Sequence, residues 1–313
     1  MKLFKSVKAS RVSLSFPYRK PQVPGTLEVA KAKSTLGTAF DTSWARRYGV
    51  RLARAILIDN VVRPTTKVIA SPDVYGQDRV SGVSGPIIFA SNHASHLDTP
   101  LVLSNLPERF RHRCVVAAGA DYFFDRRWKA YLWSGVLGAI PIERNKVNRR
   151  SAELPSQLMD EGWSLLIFPE GGRTQDGLGQ GFKGGVAQLA IKSQVPVVPI
   201  FLEGTYEILG KRSKTLKPGK TKIVFGRPIY PNAKDARELT QIIETEVAAL
   251  AIEAHSDYWS SLVRRHQDPE LAFEPKDRTS WIAEWERSET IPRRKKKPSW
   301  PPYFGSSRGT GSN

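Results

Sequence analysis

Between positions 84 and 230 the chain alternates short apolar runs with segments of helical periodicity, and this alternation constrains the fold more than any other feature. The apolar runs at 86–90, 114–118, 164–168, 195–202 and 222–226 have the length of strands. Between them, 127–136, 148–160 and 184–193 carry helix-like patterns, and 236–251 places Leu239, Ile242, Ile243, Val247 and Leu250 at helical spacing. Strand and helix in alternation predict an α/β domain with a mostly parallel or mixed central sheet flanked by helices. Ligands in such sheets gather beyond the carboxyl ends of the strands, so the polar blocks that follow the runs at 86–90 and 164–168 are where a site belongs.

Outside this region the text changes character. Residues 1–40 are basic with scattered prolines and read as a flexible arm. From 41 to 62, Trp44, Tyr48, Leu52, Ile56 and Val61 are interleaved with Arg46, Arg47, Arg51 and Arg54, which predicts a basic, amphipathic helix closing near Pro64. Such a helix either packs on a core or lies on a bilayer. A single α/β domain is expected over 65–253, then a Trp-containing extension (254–290) and a basic tail (291–313) with Arg293, Arg294, Lys295, Lys296 and Lys297 in a run.

The net charge of +18 implies an anionic partner. A nucleic-acid surface interleaves basic with aromatic residues on one face, whereas here the densest basic runs sit in the arms, so no nucleic acid is expected. No stretch reaches the roughly 18 apolar residues of a spanning helix, and the basic start lacks the uninterrupted apolar core of a signal peptide. With one cysteine, Cys114, no intrachain disulfide can form. The expectation is a cytoplasmic protein, peripheral or monotopic at the inner face of a membrane.

Ser91-Asn92-His93-Ala94-Ser95-His96-Leu97-Asp98 concentrates two of the five histidines beside an acid. The spacing does not match a helical pair of metal ligands, and no metal is expected. If a helix starts after the loop, four intervening residues bring Asp98 to His93, so that the carboxylate holds one imidazole nitrogen and the other serves as general base. His96 lies between them with no assigned role. Downstream, Gly138-Ala139-Ile140-Pro141-Ile142-Glu143-Arg144 ends in a fixed cation, and Phe168-Pro169-Glu170-Gly171-Gly172-Arg173-Thr174 supplies a second, with glycines that let backbone amides approach an anion. Guanidinium groups grip phosphate oxygens in pairs, and Lys183 adds charge nearby. Cys114 opens an apolar run and reads as a core residue, not a nucleophile.

These blocks, with Val195-Pro196-Val197-Val198-Pro199-Ile200, stand in an order that resembles the glycerolipid acyltransferases, particularly the 1-acyl-glycerol-3-phosphate acyltransferases, over roughly 65–230. The resemblance implies a fatty acyl transfer from a coenzyme A or carrier-protein thioester to the hydroxyl of lysophosphatidate, with no cofactor beyond that co-substrate. It implies His93 as base, Asp98 as its partner, Arg144, Glu170, Gly171 and Arg173 on the acceptor side, and Pro199 on the acyl-donor side. Gly172 departs from the family pattern, which commonly has Thr or Ser there, and this opens the choice of another lysophospholipid or a glycolipid as acceptor. A non-catalytic membrane-binding protein would have no chemical need for both His93 and Asp98. The expected partners are anionic lipid headgroups, an acyl thioester and a lysophosphatidate-type acceptor.

Overall fold

The computed structural model describes residues 36–144, 149–174, 179–211, 213, 215–232, 235–256, 259, 262 and 263. The arm before Leu36 and nearly all of the Trp-containing extension and basic tail lie outside the described residues. Seven strands form one sheet: β1 (Pro72–Tyr75), β2 (Ile88–Ser91), β3 (Cys114–Gly119), β4 (Ala139–Ile142), β5 (Ser164–Ile167), β6 (Val197–Glu203) and β7 (Thr221–Phe225). Their order is β1-β7-β6-β2-β5-β3-β4. All neighbours are parallel except β6 and β7, which are antiparallel with Ile200 opposite Phe225. The sheet is therefore mixed, with helices on both faces.

The strands β2, β3 and β7 are buried or nearly so along their length because both faces are covered. Phe89, Val116, Leu166, Val198 and Ile200 point to one core, shared with Leu101, Val102 and Leu106 around helix α3 (Asp98–Asn105). Ile88, Ala90, Val115, Leu165 and Val197 point to the other. That second core is closed by α7 (Arg149–Asp160), α8 (Gly185–Ser193) and α9 (Ala236–His255). The period-two alternation of a strand thus divides one apolar run between two layers. Pro199 sits within β6, where a proline removes a ladder bond. It is accommodated because β7 ends at Phe225: Gly226 N–H still donates to the Pro199 carbonyl, and the next pairing is made further on by Val197 and Ile229.

Two expectations need correction. The helix predicted to close near Pro64 continues to Ala70: α1 (Tyr48–Leu57) passes through a π turn (Ile58–Val62) into α2 (Arg63–Ala70). The wide turn, in which Arg63 N–H reaches back to the Ile58 carbonyl, spares Pro64 the clash it would make inside a regular helix and seats it at the start of α2, where a proline is tolerated. Asp59 in this turn is held by Arg111 (2.9 Å) and His112 (3.1 Å), at and just past the end of α4 (Glu108–Arg111). Residues 36–40, assigned to the flexible arm, instead pack inward: Gly37 N–H bonds to the Phe124 carbonyl, and Phe40 contacts Phe124 and Tyr131.

The remaining helices that bear on the site are α5 (Ala120–Phe123), which follows β3 directly, and α6 (Arg127–Leu137), which precedes β4.

Candidate active site

Because β2, β5, β3 and β4 run parallel, their carboxyl ends form one rim, and four separate stretches of sequence converge there. After β2 comes the histidine loop. His93 Nδ1 lies 2.8 Å from Asp98 Oδ2. Asp98 is fully buried at the start of α3, and the same oxygen accepts from the backbone N–H groups of Ala94 (2.7 Å) and Ser95 (2.8 Å). Three donors around one carboxylate oxygen hold it in place. An acceptor at Nδ1 puts the imidazole proton on that nitrogen and leaves Nε2 as the base. The ring is further fixed by Phe168, which stacks on it at 4.1 Å between centroids.

The loop is sewn down on other sides as well. Asn92 exchanges two hydrogen bonds with the Leu202 backbone, both 2.8 Å, and Ser95 Oγ donates to the Leu209 carbonyl. His93 N–H donates to Glu170 Oε1 at 2.9 Å, while the His93 carbonyl accepts from Thr174 N–H. Glu170 is therefore aimed at the backbone of the histidine loop, and it is almost fully buried. Burial pushes its carboxyl up to about 8, against the pull of the His93 and Gln180 backbone N–H groups.

Arg144, just past β4, has each of its three guanidinium nitrogens engaged: Nε and Nη2 reach Asp121 in α5 (3.0 and 2.6 Å), and Nη1 reaches the Gly171 carbonyl at 3.2 Å. Hydrogen bonding to the guanidinium holds the Asp121 carboxyl below its ordinary value. Two glycines make room for this arrangement. A side chain at Gly119 would collide with the Arg144 guanidinium. Gly171 has φ +74°, and a Cβ there would come within 2.6 Å of Lys183 Nζ. Lys183 itself is anchored through its backbone N–H to the Pro169 carbonyl. Burial lowers the Arg173 guanidinium, and the carbonyl of Arg173 accepts from Lys211 at 3.3 Å.

A cavity of ≈ 110 Å³ opens among these groups. His93, Arg144 and Gly171 border it together with His96 and Gly172, and its interior is apolar, formed by Val116, Ala118, Phe123, Trp133, Leu137 and Ile142. A wider groove of ≈ 830 Å³ bounded by Gln77, Asp78, Pro107 and His112 touches none of the predicted residues. The structure thus brings His93, Asp98, Glu170, Gly171 and Arg144 into one hydrogen-bonded assembly. Pro199 lies away from it, buried in β6 with Gly226 packed on its ring. His96, left without a role, lines the same cavity as His93. Cys114 is buried in β3, and burial pushes its thiol up to about 12.

Phe168 and Asp121 escaped the sequence reading. Phe168 belongs to a quoted block, yet only strand order shows that it faces His93. For Asp121 the available signal was its position just beyond the end of the second apolar run, at the carboxyl end of a strand.

The family model for acyltransferases matches residues 71–203, the stretch that contains β1 to β6 and every site residue named above. Residues 71–203 are an acyltransferase-family domain. The chain is 30% identical over 172 residues to a chloroplastic 1-acyl-sn-glycerol-3-phosphate acyltransferase of Brassica napus, covering 52% of this chain and 46% of that protein. It is 31% identical over 183 residues to a 1-acyl-sn-glycerol-3-phosphate acyltransferase of Chlamydomonas reinhardtii, covering 56% and 52%. The chain spans about half the length of these curated relatives. The fold is similar to the crystal structure of the 1-acyl-sn-glycerophosphate acyltransferase of Thermotoga maritima, with TM-score 0.54, 22% identity and coverage of 69% of this chain and 86% of that one.

Proposed function

We propose that this protein transfers a fatty acyl group from a coenzyme A or carrier-protein thioester to the hydroxyl of lysophosphatidate, at the cytoplasmic face of a membrane. The observation that carries this reading is the meeting, in one cavity, of a basic imidazole, a cationic mouth and an apolar interior. The acceptor hydroxyl attacks the thioester carbonyl while His93 Nε2 takes its proton, and Asp98 stabilises the imidazolium that forms. Collapse of the tetrahedral intermediate breaks the carbon–sulfur bond and returns the proton to the leaving thiolate. Proton transfer of this kind contributes about 10²–10⁴ in rate. The fixed cations Arg144 and Arg173 suit the acceptor phosphate, and the apolar interior suits an acyl chain. No cofactor beyond the thioester co-substrate enters the scheme.

Membrane attachment is supported by an inverted helix. Tyr48, Leu52 and Ile56, spaced along one face of α1, are exposed, as is Val68 in α2, while Arg54 on the inner side is buried. Trp128, Tyr131 and Leu132 of α6, which packs against α1, are exposed as well. Apolar side chains outward with Arg47, Arg63 and Lys67 exposed among them is the pattern of a surface that lies in a lipid interface. Anionic headgroups would contribute about 1 kcal/mol per nearby cation. No helix among the described residues is long and apolar enough to cross a membrane.

The test is a product assay with purified protein on anionic vesicles, labelled acyl-coenzyme A or acyl-carrier protein, and 1-acyl-glycerol acceptors with and without phosphate. Labelled phosphatidate, formed by wild type and not by His93→Ala, is the expected result. Transfer that ignores the phosphate would overturn the acceptor assignment.

A further inference from the structure

Three glycines stand at the rim of the cavity, and only two are required by the fold. Gly119 and Gly171 are forced, the first by the Arg144 guanidinium, the second by its positive φ and by Lys183. Gly172 is different. Its φ lies outside the left-handed region, and a Cβ built on it meets nothing within 4 Å. Neither backbone conformation nor packing asks for glycine there, so the missing side chain leaves open room in the wall of the cavity.

His96 borders the same space. Its ring lies near Tyr122 of α5, with centroids 6.3 Å apart and planes 23° from parallel, one residue from the Asp121 that holds Arg144. Neither of its nitrogens has a hydrogen-bond partner among the described residues. Burial, then the nearby Arg173, push its pKa down to about 4, so the ring is neutral and presents one N–H donor and one bare nitrogen. An exposed imidazole with two open valences, bordering the same cavity as the unclaimed space at Gly172, is placed to bind a ligand there.

We propose that His96 and the bare wall at Gly172 form the seat for the phosphate-bearing head of the acceptor, with His96 a specificity-determining residue. This rests on the acyltransferase reading above. Arg144 is already tied to Asp121 and Gly171, which makes it a rigid but partly neutralised neighbour. A phosphate drawn toward Arg173 comes beside His96, whose N–H donates to a phosphate oxygen while the bare nitrogen remains open to a hydroxyl of the same head. Selection then depends on hydrogen-bond geometry and room, in addition to charge.

The experiment measures acceptor and donor kinetics separately, with 1-oleoyl-lysophosphatidate and oleoyl-coenzyme A, for wild type, His96→Ala, His96→Gln, His96→Phe and Gly172→Val. Loss of a hydrogen bond to a charged group corresponds to about a 10–100-fold change. His96→Ala should therefore raise the acceptor KM by about that factor and leave the donor KM unchanged. His96→Gln, which keeps a donor and an acceptor, should recover part of the loss; His96→Phe should not. Gly172→Val should raise the acceptor KM by filling the seat, and its unchanged melting temperature would show that the fold tolerates the side chain. If wild type transfers to lysophosphatidate but His96→Ala leaves the acceptor KM within about twofold, or moves both KM values together, the seat is not at His96. If wild type acylates no lysophospholipid at all, the underlying functional reading fails instead.

Discussion

The histidine loop and the helix from Tyr48 to Ala70 are built on opposite plans. Around His93 the groups are tied in succession: the imidazole to Asp98, Asp98 to two backbone N–H groups, the His93 backbone to Glu170 and Thr174, and Asn92 to Leu202. In the helix the usual arrangement is turned inside out. Leu52 and Ile56 face outward and Arg54 is buried; Arg54 Nη2 and Arg51 Nε are buried without hydrogen-bond partners among the described residues, as Asp98 Oδ1 and Glu170 Oε2 are at the loop. The loop spends its polar groups on holding one geometry, as proton transfer demands. The helix leaves apolar area uncovered on its outer side and is held to the core on its inner side by Ile58 and Ala70, by Asp59 with Arg111 and His112, and by the Arg54 guanidinium, which donates to the Ala45 and Ser134 carbonyls. The proposed chemistry falls where the structure is over-determined, and the proposed membrane contact where apolar area is left open.

Substitutions can break or sharpen this contrast. The largest effect is expected in the loop: His93→Ala should lower acyl transfer by about 10²–10⁴-fold or more with little change in melting temperature, and Asp98→Asn should approach it. A rate that survives in either variant would mean the loop is merely well packed. Next comes the inner side of the helix. Arg54→Ala should cost about 2–4 kcal/mol in urea unfolding, because it leaves a void and two carbonyls unpaired, whereas Arg54→Met should cost less by filling the void. Equal losses in the two would assign the stabilisation to the charge.

On the outer side, Leu52→Glu should weaken binding to anionic vesicles by about 5–30-fold, from the loss of one partly inserted apolar side chain, while leaving unfolding unchanged. An unaltered vesicle affinity would detach the helix from the membrane. The smallest effect on turnover is expected at Glu170. Glu170→Gln keeps an acceptor for the His93 N–H and should retain most activity. It should change the pH dependence of stability, however. With the folded carboxyl raised to about 8 from 4.5, the unfolded chain releases this proton first, so the wild type loses stability as pH rises across that window. The Gln variant should lack this slope in urea midpoints measured across it.

Much of the fold was legible because burial on two faces writes a strand as a continuous apolar run. Five such runs were read as strands, and each is one. The two that escaped are edge strands: β1 alternates between half-buried and exposed over four residues, and β4 carries Pro141, which an edge tolerates. A mostly parallel or mixed sheet and the rim of polar blocks followed from the alternation; the antiparallel pairing of β6 with β7 did not. In the site, the His93–Asp98 pairing was legible because it is local, set by four residues between them. Phe168 against His93 and the inward aim of Glu170 depend on β5 lying beside β2, and Asp121 against Arg144 on β4 lying beside β3, which no local pattern encodes. The same dependence hid His96, whose neighbours Tyr122 and Arg173 come from two other strand ends. The prediction of a helix stop at Pro64 failed because one wide turn takes in what a regular helix would reject.

That π turn carries a consequence beyond accommodating a proline. Each residue added to or removed from a helix rotates everything beyond it by about 100°. Deleting one residue from Ile58–Val62 would leave α1 and α2 with their present side chains, yet it would swing Leu52 and Ile56 away from their outward bearing and carry Arg54 off the end of α6. The compass heading of the exposed apolar stripe is therefore set by a residue count, and a single codon lost there would turn it toward a different horizon.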